Sequence, residues 1–348
     1  TQRPALMRYQ PPLWLPDGHS QTIWSALYAR RTHGPARALR RERWTTPDGD
    51  FVDVDRQDAS SPRRPLLVMF HGLEGSSASH YAQASADWAA QHDVHWAMPH
   101  FRGCSGEINR APRAYHSGDH AEIDWLLQRL RRAHREGGGQ RLVAVGVSLG
   151  GNALMRWAGE HGHAAAQSAD AVAAICSPLD LAASGQAIGR GFNRQVYTRM
   201  FLRSMKPKAL AKWAQYPGLF DRERLLAARD LYDFDNLFTA PLHGFRDTPD
   251  YWARASALPG LGAVRVPALV VNARNDPFIP ADSLPRPEQV SASVTLWQPT
   301  HGGHVGFAQG RWPGHVRGLP EQVGAWLLQA AGVAQAAPAR SELEVVHG

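Results

Sequence analysis

Only two cysteines, Cys104 and Cys176, occur in 348 residues. They could form at most one disulfide, which excludes a secreted disulfide framework and a four-cysteine zinc site; a reducing, cytoplasmic setting is the expectation. No apolar run approaches the ~18 residues that cross a bilayer, and the N-terminus lacks the basic, apolar, small-residue order of a signal peptide. No transmembrane segment is therefore expected. Metal motifs are missing too: His161-Gly162-His163 and the His301/His304 pair have neither an H-E-x-x-H frame nor a cysteine partner, so no metal is expected. Gly137-Gly138-Gly139 precedes a strand-like run instead of following one, and no P-loop lysine exists, so no phosphate cradle and no cofactor are expected. The charge is only mildly one-sided, 38 Lys+Arg against 31 Asp+Glu. Basic residues are denser at Arg30–Arg43 and again from Arg190 to Lys212, but no zinc-finger or RNA-recognition signature interleaves with them. They read as a solvated surface, with no nucleic-acid partner.

What is present is an ordinary globular composition, 43% apolar, long enough for one large α/β domain with an insertion. Residues 43–57 read as two strands about a Pro47-Asp48-Gly49 turn. Leu66-Leu67-Val68-Met69-Phe70 is a continuous apolar run, the pattern of a strand buried on both faces. Further runs lie at 94–98, 142–145, 171–175 and 268–273, with a weaker one at 293–297. Helix-length stretches separate most of them, such as 117–134, with Ser117 as cap and Ile123, Leu126, Leu127 and Leu130 as an apolar stripe. This alternation predicts an α/β fold with a mostly parallel central sheet flanked by helices. From about 180 to 262 the alternation stops and the chain turns basic, aromatic and helical in pattern. Such an interval is too long for a crossover loop and predicts a helical cap over one end of the sheet, its aromatics mostly forming the cap's own core.

The chemistry concentrates at Gly146-Val147-Ser148-Leu149-Gly150, a G-x-S-x-G between the strand-like Leu142–Val145 and a helix expected over 152–160. In that context the pattern describes a nucleophile elbow: small residues are needed around a serine held on a tight strand-to-helix turn. A serine hydroxyl needs a base, and the base an acid that fixes its tautomer, in the chain order Ser, Asp or Glu, His. Asp276, in the Pro-flanked loop after the 268–273 strand, is the preferred acid, with Asp180 as rival. His304 is preferred to His301 as base, because glycines precede it and Val305 and Phe307 anchor its loop. The backbone N–H groups of Leu149 and of Leu73, in the loop His71-Gly72-Leu73-Glu74-Gly75, are the candidate oxyanion donors. Cys104, with no evident basic partner, reads as a packed thiol.

Taken as a set, these motifs and His19-Ser20-Gln21-Thr22, His100-Phe101-Arg102-Gly103-Cys104-Ser105-Gly106-Glu107, Tyr115-His116-Ser117-Gly118, Asn275-Asp276-Pro277-Phe278 and His301-Gly302-Gly303-His304-Val305-Gly306-Phe307 resemble the YheT-like branch of the α/β-hydrolases, α/β-hydrolase family 4. The resemblance spans His19 to Phe307 and implies an α/β-hydrolase fold and a triad on Ser148, Asp276 and His304. It also implies a carboxylesterase-like or lipid-acyl hydrolase acting on a small-molecule acyl ester; the alternatives are a thioesterase or acyltransferase, which would use the same residues, and a non-catalytic binding protein on a hydrolase fold. The expected organisation is an N-terminal extension over 1–42, a core over 43–179 and 263–330, a helical cap over 180–262 and a C-terminal tail over 331–348.

Overall fold

A computed structural model describes residues 8–35 and 38–333. The expected tail beyond Val333 lies outside the described residues. Eight strands form one sheet: β1 (Arg40–Thr45), β2 (Phe51–Gln57), β3 (Leu66–Phe70), β4 (His95–Pro99), β5 (Leu142–Val147), β6 (Ala171–Ile175), β7 (Ala268–Val271) and β8 (Val294–Trp297), in the order β1-β2-β4-β3-β5-β6-β7-β8. β1 and β2 pair antiparallel about the Pro47-Asp48-Gly49 turn, and β2 runs antiparallel to β4. The remaining pairings are parallel.

The side-chain period of two explains why β3 reads as an uninterrupted apolar run. Leu66, Val68 and Phe70 enter the core shared with helices His120–Glu136 and Leu149–His161. Leu67 and Met69 enter the opposite core, shared with helices His80–Gln91 and Gly318–Ala330. A strand covered on both faces has no position for a polar residue. The edge strand β1 buries only Trp44. Its arginines instead pair across the hairpin, Arg41 with Asp55 at 2.7 Å and Arg43 with Asp53 at 2.8 Å.

The helix expected from Ser117 begins later, at His120 after Asp119. Ser117 is not a cap: its N–H donates to the Tyr251 hydroxyl (2.8 Å), and its carbonyl accepts from Asn152 Nδ2 (2.8 Å). Local pattern could not anticipate this, because residues 117–118 press against the segment that follows β6; a Cβ on Gly118 would meet Ala255 Cβ at 2.6 Å.

Between β6 and β7 the chain forms helices, among them Leu181–Ile188, a continuous run built of Gly191–Asn193, Arg194–Thr198 and Arg199–Gln215, then Arg222–Ala227, Leu231–Phe234 and Thr248–Ala255. Aspartates start four of them. Asp180, Asp221, Asp230 and Asp247 each accept a hydrogen bond from a first-turn amide, at 2.8–3.0 Å, which satisfies otherwise orphaned donors. Phe234 and Phe238 join Leu202, Met205, Ala209 and Leu225 in a core belonging to this segment, whereas Tyr197 packs on Phe278 of the sheet domain, centroids 4.6 Å apart.

Candidate active site

Ser148 stands between β5 and helix Leu149–His161 with φ 51° and ψ −119°. The glycines around it are dictated by space. A Cβ on Gly146 would lie 2.4 Å from the Gly150 carbonyl oxygen, one on Gly150 2.4 Å from the His71 carbonyl oxygen, and one on Gly151 1.8 Å from Ser177 Oγ. The Ser148 N–H donates to Ile175 O (2.8 Å), fixing the turn to β6. Asn152, fully buried, fastens the following helix: its Nδ2 donates to the carbonyls of Ser117 and Ala255, and its Oδ1 accepts from Ala257 N.

His304 Nε2 is 3.0 Å from Ser148 Oγ, and His304 Nδ1 is 2.8 Å from Asp276 Oδ2. Asp276 has no side-chain exposure; its Oδ1 accepts from Phe278 N at 2.8 Å. The Phe278 ring covers the imidazole at 4.1 Å between centroids. Because the carboxylate can only accept, Nδ1 carries the proton and Nε2 is left to accept from the serine. His301 lies elsewhere, its Nδ1 3.4 Å from Asn275 Nδ2. Asp180, the rival acid, caps helix Leu181–Ile188 through Ala183 N.

The loop after β3 presents its backbone to the same place; a Cβ on Gly72 would touch Ser148 Cβ at 3.2 Å. His71 anchors it. Its Nε2 accepts from Phe101 N (2.9 Å) and its Nδ1 donates to Gly72 O (2.7 Å). Burial holds this imidazole neutral, its pKa lowered to about 3. Gly72 N–H donates to the Tyr81 hydroxyl and Glu74 N–H to the Tyr115 hydroxyl. Among the described residues, the N–H groups of Leu73 and Leu149 find no acceptor. Five of the six described non-glycine residues with positive φ lie around this centre: Glu74, Ser148, Cys176, Val305 and Phe307. Such strain persists only where surrounding contacts over-determine the backbone.

Residues that were given no catalytic role from the sequence complete the frame. Gln21, fully buried in the helix Gly18–Leu27, accepts through Oε1 from Gly302 N (2.8 Å) and Asn275 Nδ2 (3.0 Å). Thr22 Oγ1 accepts from His304 N at 2.8 Å. Cys176 Sγ accepts from Val305 N at 3.3 Å; burial and the neighbouring Asp276 push its thiol well above the ordinary range, so it stays protonated. Cys104 does have a basic neighbour, contrary to expectation. Lys208 Nζ, 104 residues away in sequence, lies 3.6 Å from its sulfur and 2.9 Å from Glu74 Oε2. Burial still dominates and raises the Cys104 thiol to about 12.

Ser148 and His304 open onto a cavity of about 690 Å³, part of it continuous with solvent, walled by Leu73, Leu149, Ile188, Phe201, Met205, Trp252, Phe278 and Ile279. A neighbouring chamber of about 560 Å³ shares Leu73, Leu149, Met205, Asp235 and Tyr251 with it and adds Glu74, Tyr115, Lys208 and Lys212. Among the described residues, no group of three or more His, Cys, Asp or Glu side chains could hold a metal ion.

The model of the α/β-hydrolase fold family matches residues 65–310. The YheT protein of Escherichia coli (strain K12) is 37% identical over 313 residues, 89% of each chain. The chain is a YheT-like α/β-hydrolase. More distant relatives of this hydrolase include the phospholipase ABHD3 of Mus musculus, 25% identical over 88% of this chain and 74% of that one. The monoacylglycerol lipase of Saccharomyces cerevisiae is 26% identical over 78% of this chain and 60% of that one. Among solved structures, the α/β-hydrolase GrgF of a Penicillium species superposes with a TM-score of 0.55 at 15% identity, over 85% of this chain and all of that one. The Pyrococcus furiosus esterase Pf2001 superposes with a TM-score of 0.51 at 14% identity, over 88% and 96%. These two likenesses concern the fold. Among the described residues no helix is long and apolar enough to cross a membrane.

Proposed function

We propose that this hydrolase is a serine carboxylesterase that splits acyl esters through an acyl-enzyme intermediate. The observation that carries the reading is the relay from buried Asp276 through His304 to Ser148, at 2.8 and 3.0 Å, ending in a largely apolar cavity. Ser148 Oγ attacks the ester carbonyl carbon as its proton passes to His304 Nε2, and Asp276 stabilises the resulting imidazolium. The carbonyl oxygen, now an anion, accepts from the N–H groups of Leu73 and Leu149. When the C–O bond breaks, His304 returns the proton to the leaving alkoxide; a water then repeats the sequence to release the acid. The segment 180–262 serves as a cap on a core of 43–179 and 263–330, and Phe201, Met205 and Trp252 from that cap form the acyl wall. The lipase and phospholipase names of the relatives support an acyl ester as substrate.

Hydrolysis of a p-nitrophenyl ester series from acetate to palmitate tests this. Activity that is insensitive to EDTA and falls by about 10⁶-fold in Ser148→Ala is expected. Parent-like turnover by that variant, or no ester turned over at all, overturns the reading.

A further inference from the structure

From Gly191 to Phe220 the sequence holds six basic residues and no acidic one. In the structure this stretch is the long helical run of the insertion, and it has two unlike faces. Inward, Phe201 and Met205 wall the cavity at Ser148. Outward, Phe192, Val196 and Met200 fall at intervals of four residues and are 52%, 36% and 55% exposed, so they share one face. Beside them Arg194, Arg199 and Arg203, with Arg229 from the next segment, line a wide concave surface.

These arginines differ from those that the fold holds in ion pairs. Arg41, Arg43, Arg102 and Arg131 are all paired with carboxylates, whereas the guanidinium groups of Arg194, Arg199, Arg203 and Arg229 have no such partner among the described residues. Of the acidic side chains that follow along the chain, Asp221, Asp230 and Asp233 accept from the backbone amides of Arg224, Asp233 and Arg229 respectively. Lys206, on the same surface, donates to the carbonyls of Leu226 and Ala228. Leu226 and Tyr232, 40% and 45% exposed, extend the apolar content of the same segment.

Unpaired positive charge calls for an anionic partner. The apolar side chains between the arginines select which kind: a phosphate backbone gains little from aliphatic groups, whereas a lipid interface takes both, side chains into the acyl boundary and guanidinium groups among the headgroups. We propose that the outer face of the helix 191–215 docks this hydrolase on the surface of an anionic phospholipid bilayer, with the helix lying in the plane of the interface. Docking stands whether or not Ser148 is the nucleophile. If it is, a lipid leaving the bilayer is one helix diameter from the cavity.

The test is sedimentation of the full chain with vesicles of phosphatidylcholine alone and of phosphatidylcholine mixed with phosphatidylglycerol. Binding only to the mixed vesicles, weakening as salt rises, is expected. Each neutralised arginine should lower the partition coefficient by about fivefold, so Arg199→Gln with Arg203→Gln lowers it by about 25-fold. Val196→Ser with Met200→Ser should also lower it, while both variants keep the parent melting temperature and p-nitrophenyl acetate turnover. Absence of binding to mixed vesicles at low salt overturns the proposal. So does binding that neither variant changes. Single-stranded RNA bound as tightly by the Val196→Ser, Met200→Ser variant as by the parent, with its vesicle binding also intact, would replace the bilayer with a polyanion site.

Discussion

At the scale of single residues, the glycines at 146, 150 and 151 explain why a pentapeptide pattern is legible in the amino-acid sequence alone. Each Cβ they lack would lie within 2.4 Å of another atom, so the motif is a record of steric exclusion. The two histidines were harder to separate, since both sit among glycines, and what distinguishes them is distance: His304 touches Ser148 and Asp276, whereas His301 lies against Asn275. On the proposed mechanism, Asp276→Asn allows the wrong imidazole tautomer, with Nδ1 accepting and Nε2 protonated. Its kcat should fall by about 10⁴-fold with little change in melting temperature, because the amide keeps an oxygen for Phe278 N. His301→Ala should stay within about threefold of the parent, since losing a part-exposed contact of this kind costs less than about 1 kcal/mol. Steady-state kinetics on one soluble ester decides both, and a His301→Ala loss as deep as that of Asp276→Asn would reverse the assignment.

Among elements, the sheet was legible because strands buried on both faces leave a run of apolar letters. The helix Gly18–Leu27 was not. Its apolar pattern is weak, and its partners lie 254 and 281 residues away, a separation at which no local signal exists. Yet Gln21 ties together the loop carrying Asp276 and the loop carrying His304, and Thr22 holds His304 N directly. We expect Gln21→Leu to leave Gly302 N–H buried without a partner, at a cost of about 1–3 kcal/mol in stability, and to loosen both loops. A misplacement of about 1 Å in the relay can cost about 10²-fold. The loss should fall on kcat, with KM for a short ester little changed because the cavity walls are untouched. A fall in stability with kcat intact would make the helix a packing element only.

Across the whole molecule, buried ionisable groups set a pH dependence that the sequence could not disclose, since burial belongs to the fold. Burial lowers His71 and His116 to about 3 and His80 and His134 to about 4, whereas each would take a proton near about 6.5 in the unfolded chain. Two carboxyls act in the opposite sense: burial raises Glu122 to about 7 and Asp235, on the wall of the cavity beside Ser148, to about 6. Near pH ~5, among these six groups, the unfolded chain therefore binds four protons that the folded chain refuses, and the folded chain binds two that the unfolded chain has released. These six groups make stability rise with pH between about 4.5 and 6, contributing about 3 kcal/mol per pH unit and levelling off near neutrality; His100, His243 and His315, also lowered by burial, act in the same sense. Stability contributed by the neutral imidazoles is complete above about pH 6.5 and is lost as pH falls toward their folded values. Asp235→Asn removes one of the two opposing protons, so its slope in the same window should steepen by one proton, and its stability near neutral pH should rise. Urea unfolding at a series of pH values measures both slopes; equal slopes for parent and variant would mean that the Asp235 carboxyl is ionised in the folded protein throughout this window.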